Sequence, residues 1–140
     1  MKREASATWT GDLKQGKGSF KTQSGALKDI PFSFVTRFED QPGTNPEELI
    51  AAALASCYSM ALSAALSSRG QEVIQIITQA SVSFEQVQGQ WTINGVHLDV
   101  NASLPNMDPR EFQVIARETK ENCPVSRALN VPITLQALFV

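Results

Sequence analysis

The sequence predicts an α+β fold, and three observations carry that prediction. The first third is broken by glycines and polar residues into short extended runs; one long segment lacks glycine and internal proline; and two later runs alternate apolar and polar residues. Helices interleaved with hairpin-linked strands, rather than regular strand–helix–strand units, favour α+β over a parallel α/β sheet. At 140 residues the chain falls in the range of one domain, so a single core over 1–140 is expected.

Taken in order, residues 5–10 (ASATWT) and 16–22 (GKGSFKT) read as strands separated by GDLKQG, with a third strand over roughly 31–38 (PFSFVTRF). Such a short meander is marginal alone and must pack against something. After Gly43, GTNPEELI offers two overlapping helix starts. Either Thr44 caps with Glu47 at N3, or Asn45 caps with Pro46 at N1 and Glu48 at N3; Pro46 favours the second. The helix is expected over 46–69, with Gly70 as its stop.

From Leu49 to Ser68 that helix has no charge, so it should be covered on most sides. Its length nearly suffices for a membrane span. Five serines, at 56, 59, 63, 67 and 68, make it weakly apolar, so a central core helix shared with a partner chain is the better account. The segments VIQIITQASVSFEQV and WTINGVHLDVNASL then form a long hairpin, with Gly89 in its turn and Gly95 marking a bulge. Asp108, Pro109 and Glu111 open a second helix through about Glu121, with Phe112, Ile115, Ala116 and Thr119 facing inward. Val131, Ile133, Leu135, Ala137 and Phe139 line a closing strand.

Composition narrows the function. The formal charge is -2 with no basic run, which gives no electrostatic footprint for nucleic acid or anionic lipid. The N-terminal MKREASATW lacks an apolar signal core, so cytoplasm is the expected location. Charged residues make up 19% of the chain, below the usual ~25%, which fits a surface partly covered by a partner subunit. With one histidine and two distant cysteines, the common closed zinc patterns are absent, and no metal or cofactor is expected. GKGS at 16–19 lacks phosphate-loop spacing and belongs to a turn. His97 alternates out of the apolar face between Val96 and Leu98, as an exposed hydrogen-bonder rather than a catalytic base.

The cysteines are the remaining chemical groups. Cys57 sits in an apolar helical run, where a free thiol commonly serves as a small hydrophobe, so its local sequence leaves core packing and nucleophile both open. Cys123 precedes Pro124 in ENCPVSRAL, where it could cap a new short helix whose N–H groups favour a thiolate.

The block TRFEDQPGTNPEELIAAALASCYSMALS, followed by ENCPVSRAL, resembles the OsmC/Ohr family, and more closely its OsmC branch of osmotically inducible proteins. TWTGDLKQGKGSF and VPITL fit as well, so the resemblance spans essentially the whole chain. It implies an α+β domain with an N-terminal meander, long central helix, hairpin, second helix and closing strand, in an intertwined homodimer. It also implies a thiol peroxidase acting on organic hydroperoxides, and less efficiently on hydrogen peroxide, in defence against oxidative and osmotic stress. By the same resemblance Cys57 matches the peroxidatic cysteine, Cys123 the resolving cysteine, Arg37 the arginine beside the thiolate and Glu47 the acid holding that arginine. The oxidised enzyme would be recycled by a dithiol, for which the Ohr branch suggests a lipoylated protein.

Spacing adds one expectation. Glu47 and Cys57 lie about 15 Å apart along one helix, so the two do not flank one small site directly. Either Arg37 bridges that gap within one chain or, the preferred arrangement, the partner chain brings its own arginine and glutamate to Cys57. An ordinary thiol is only about 3% thiolate at neutral pH, and a favourable field gains about thirtyfold in reactive population.

Overall fold

The computed structural model describes residues 1–140, which gather into two units, Met1–Leu49 and Ile50–Val140. In the first unit, strands β1 (Ala5–Thr10), β2 (Lys17–Thr22) and β3 (Ile30–Phe32) form an antiparallel meander in that order. Gly18 stands opposite both Trp9 and Phe32, whose ring centroids are 5.6 Å apart. A Cβ at Gly18 would approach Phe32 Cζ to 2.5 Å, so only glycine lets the two rings close over the strand.

The third strand is shorter than its sequence implies. It ends at Phe32, and helix α1 (Phe34–Phe38) takes up the rest of PFSFVTRF. The cause is local: Ser33 and Thr36 satisfy each other's backbone N–H groups in a capping box, which starts a helical turn before the strand can continue. Arg37 therefore projects from a helical turn instead of a strand.

Of the two possible starts for the long helix, the second holds. Asn45 Oδ1 accepts from the Glu48 N–H at 2.8 Å, while the Thr44 hydroxyl donates to the Pro31 carbonyl. Helix α2 (Pro46–Ser67) follows, about 33 Å long. Its end is a Schellman turn, with Gly70 at a φ of 76° and the Gln71 N–H bonded to the Leu66 carbonyl.

In the second unit α2 buries one row, Leu54, Tyr58, Leu62 and Leu66, each one helical turn after the last. The opposite face is exposed, with Met60 at 75% exposure and Ala52, Ala53, Ser56 and Ala64 beside it. The expected covering on most sides is thus not met within one chain, which supplies a single buried row. By length and hydropathy alone α2 could cross a membrane, a test that core helices also pass. Its buried row and the 2.7 Å bond from Ser59 to Thr78 tie it to the following sheet.

That sheet has the order β4 (Gln75–Val87), β5 (Gln90–Ser103), β6 (Ile133–Phe139). Gln88 and Gly89 both have positive φ, the two-residue turn that suits a right-twisted hairpin. Asn94 is the extra residue of a bulge: Ser83 pairs with Gly95 and Phe84 with Ile93. Strand β6 pairs in parallel with β5, which needs the crossover formed by α3 (Pro109–Asn122) and α4 (Pro124–Ala128). Asp108 caps α3 by accepting from the Arg110 and Glu111 N–H groups. The inward residues Phe112, Ile115, Ala116 and Thr119 are all buried, in one core with Val96, Leu98, Val100, Ala102 and the α2 row.

Leu62→Ala should lower the unfolding free energy by about 2–5 kcal/mol, because the fully buried row leaves little room for collapse around the cavity. Urea titration at fixed protein concentration measures it; a loss below about 1 kcal/mol would show that the row is not tightly packed.

Candidate active site

Cys57 precedes the buried Tyr58 on α2, which turns its side chain to the edge of the buried row and leaves it half-buried. Tyr58 anchors this stretch. Its hydroxyl donates to the Ala116 carbonyl of α3 at 2.9 Å, and burial pushes the phenol up so that it stays protonated and keeps donating.

Cys123 ends α3 and begins α4. Its N–H closes α3 on the Thr119 carbonyl at 2.9 Å, and its sulfur accepts from the Ser126 N–H at 3.5 Å as the cap of α4. Pro124 forces this break: it has no N–H to continue α3 and keeps Cys123 extended, with φ -62° and ψ 138°. The thiol is 1% exposed, with the Ser126 hydroxyl 3.2 Å away.

The two free thiols are neighbours. Cys57 lies close enough to the Cys123 side chain and to the Val125 N–H for both to influence its charge. Burial is the largest influence on the Cys57 thiol and pushes it up; the Val125 N–H pulls it down, and the neighbouring Cys123 pushes it up again. The net direction is upward, so within one chain the thiolate is scarcer at neutral pH than for an ordinary cysteine.

Arg37 and Glu47 meet in the first unit. Arg37 lies in the last turn of α1 and Glu47 in the first turn of α2. Guanidinium Nη2 and Nε both donate to Glu47 Oε1, at 2.8 and 3.2 Å. The Glu47 side chain is 8% exposed and Arg37 39%, so the carboxylate holds the cation at the edge of the unit. Glu47 Oε2 is buried with no hydrogen-bond partner. The guanidinium carbon stands 5.2 Å from the Phe38 ring centroid. Beside it is a cleft of about 290 Å³ walled by Trp9, Phe32, Phe34 and Phe38.

The four residues singled out by sequence thus form two pairs, neighbouring Cys57 and Cys123 and hydrogen-bonded Arg37 and Glu47. His97 stands where its alternation placed it, outside the core, 2.6 Å from Thr134 Oγ1 and 3.5 Å from Asp99 Oδ1. Sequence reasoning missed Val125 and Ser126. The available signal was position: in a helix capped by Cys123 they are N2 and N3, whose N–H groups are free to face the cap.

The family profile described as OsmC-like protein matches residues 38–137, which include Glu47, Cys57 and Cys123. Over 133 residues the chain is 44% identical to peroxiredoxin OsmC of Escherichia coli K12, spanning 95% of this chain and 93% of that protein. It is 35% identical over 101 residues to the organic hydroperoxide resistance protein OhrB of Bacillus subtilis 168, spanning 70% and 72%. The crystal structure of Bacillus subtilis OhrB superposes with a TM-score of 0.70 at 24% identity, over 96% of this chain and 98% of that one. An OsmC-like protein of Vibrio cholerae gives 0.79 at 15% identity over 99% of both chains. At those identities the two superpositions establish the fold alone.

The adjacency of the thiols makes a direct prediction. Diamide should remove both alkylatable cysteines by closing a disulfide within one chain, seen as a faster band on a non-reducing gel. A band at twice the chain mass would instead place the partner sulfur on another molecule.

Proposed function

The chain belongs to the OsmC-like protein family and is a cysteine-based peroxidase; from that premise we propose that it reduces organic hydroperoxides with Cys57 as nucleophile and Cys123 as resolving thiol. The observation that carries this reading is the proximity of the two thiols at the capped start of α4. The Cys57 thiolate attacks the hydroperoxide, releases the alcohol and becomes a sulfenic acid. Cys123 condenses with it, a disulfide forms and water departs. A dithiol, such as a lipoyl group on a partner protein, then restores both thiols. Hydrogen peroxide is the poorer substrate.

The raised Cys57 thiol calls for a cation, and Arg37 is the one proposed. Glu47 is about 15 Å from Cys57 along α2, so the proposed active unit is a homodimer in which the partner's Arg37 and the partner's Glu47 reach Cys57. The uncharged, exposed face of α2 supports a contact between copies. Thiolate formation supplies only about thirtyfold in reactive population. Arg37 therefore has a second task, to stabilise charge developing on the departing alkoxide, while its planar fork orients the peroxide. Preference for organic peroxides draws support from the names of the relatives and from the aromatic cleft beside Arg37, which could take an alkyl group. The whole chain, 1–140, would serve as one such domain in the cytoplasm, in oxidative and osmotic stress.

With dithiothreitol as reductant, Cys57→Ser should abolish consumption of cumene hydroperoxide, whereas Cys123→Ser should consume one equivalent per subunit and stop. Sustained turnover by Cys57→Ser would refute the nucleophile; a second cycle at the normal rate by Cys123→Ser would refute the resolving thiol. In Arg37→Ala the Val125 N–H alone is left to oppose burial and Cys123, whose combined effect is upward, so the thiol should stay protonated further up the pH scale. Iodoacetamide labelling should fall at neutral pH and recover in alkali. An unmoved pH profile would remove Arg37 from the mechanism.

A further inference from the structure

Ser126 is a buried polar side chain beside Cys123 that the peroxidase chemistry above leaves unused. Its hydroxyl lies 3.2 Å from Cys123 Sγ, and its own backbone N–H faces the same sulfur at 3.5 Å. Neither Ser126 group is among the influences on Cys57, which is affected by the neighbouring Val125 N–H. The two thiols differ in access as well: Cys57 is half-buried, and Cys123 is 1% exposed.

Both differences favour the same direction of exchange. A thiolate reducing a disulfide attacks one sulfur and expels the other, faster when the attacked sulfur is accessible and when charge on the departing sulfur is stabilised. Cys57 is the accessible sulfur, and Cys123 is the one with both Ser126 groups beside it. Resting on the Cys57–Cys123 disulfide proposed above, we propose that Ser126 is a catalytic residue of the recycling step, holding Cys123 as the departing thiolate so that the dithiol reductant attacks Cys57.

One thiolate of the reductant bonds to Cys57 Sγ. The bond between Cys57 and Cys123 breaks, and its electron pair leaves on Cys123 Sγ. The Ser126 O–H and N–H donate to that sulfur until a proton released by the reductant's thiols reaches it through water. The second reductant sulfur, deprotonated, attacks the first, closes a cyclic disulfide and frees Cys57 as a thiolate. The dithiol loses two electrons and two protons, and the protein gains both electrons and, on reprotonation, both protons. A hydrogen bond to an ionised acceptor is roughly twice as strong as a neutral one, so Ser126 matters most once Cys123 carries charge.

The wild-type protein decides the direction. After oxidation with one equivalent of cumene hydroperoxide, brief exposure to substoichiometric 2-mercaptoethanol and quenching with N-ethylmaleimide, peptide mapping should find mercaptoethanol on Cys57 and maleimide on Cys123. The reverse labelling overturns the proposal. Ser126→Ala should slow disulfide reduction by dithiothreitol about tenfold while slowing the first peroxide reduction less than twofold, and Ser126→Thr should recover most of the rate. Equal slowing of both steps, or of neither, overturns the role of Ser126. If the peroxide-treated wild type keeps two alkylatable thiols before any reductant is added, the parent disulfide reading itself fails. The mapping needs no variant, so poor folding of Ser126→Ala leaves the direction of attack decidable.

Discussion

The break at Cys123–Pro124 is the constraint on which the thiol site depends. Proline cannot extend α3 and holds the residue before it in an extended conformation, so the helix must end at Cys123. The same residue then starts α4, with its sulfur accepting from the Ser126 N–H and its carbonyl from the Arg127 N–H at 3.1 Å. A sulfur used as a helix cap has its direction set by the backbone. Across from it, the Tyr58 hydroxyl grips the Ala116 carbonyl and fixes α2 against α3. Cys57 is the residue next to Tyr58, so these two clamps bring the sulfurs together without any bond between them.

That placement sets burial against reactivity. The packing that brings Cys57 to Cys123 also removes the thiol from water, and desolvation disfavours its charged form more than the single Val125 N–H favours it. The cation proposed to correct this is already engaged, since Arg37 donates twice to one oxygen of Glu47. The pairing limits wandering of a long, partly exposed side chain; at this exposure it adds little stability, on the order of 1 kcal/mol or less. Its value is orientation: a guanidinium held by a nearly buried carboxylate presents its remaining N–H groups in a defined direction. The proposed homodimer answers two needs with one contact, bringing that cation to the thiol and covering the uncharged face of α2.

Much of the fold was legible because its signals are local. The caps at Asn45 and Asp108, the stop at Gly70, the turn at Gly89 and the bulge by Gly95 each arise from residues within a few positions of one another. The inward face of α3 followed from helical periodicity, and Phe112, Ile115, Ala116 and Thr119 are all buried. PFSFVTRF was misread for a physical reason: its aromatic and β-branched residues suit a strand, but the Ser33–Thr36 capping box satisfies the backbone at once and favours a turn of helix. The covering of α2 was only partly legible: absence of charge says what a helix can tolerate, and one chain supplies a single buried row to it.

The sequence by itself determined the α+β class and most element boundaries, while resemblance marked four residues for the proposed chemistry. Those depend on short-range preferences and on motifs that survive as strings. Only the tertiary structure decided that Cys57 and Cys123 are neighbours, that Arg37 rides on a helical turn and donates to Glu47, and that both Ser126 groups lie beside the Cys123 sulfur. Contacts between residues far apart in the chain depend on how elements pack. A thiol's charge depends on everything packed around it, and burial moved Cys57 opposite to the shift that its proposed task requires.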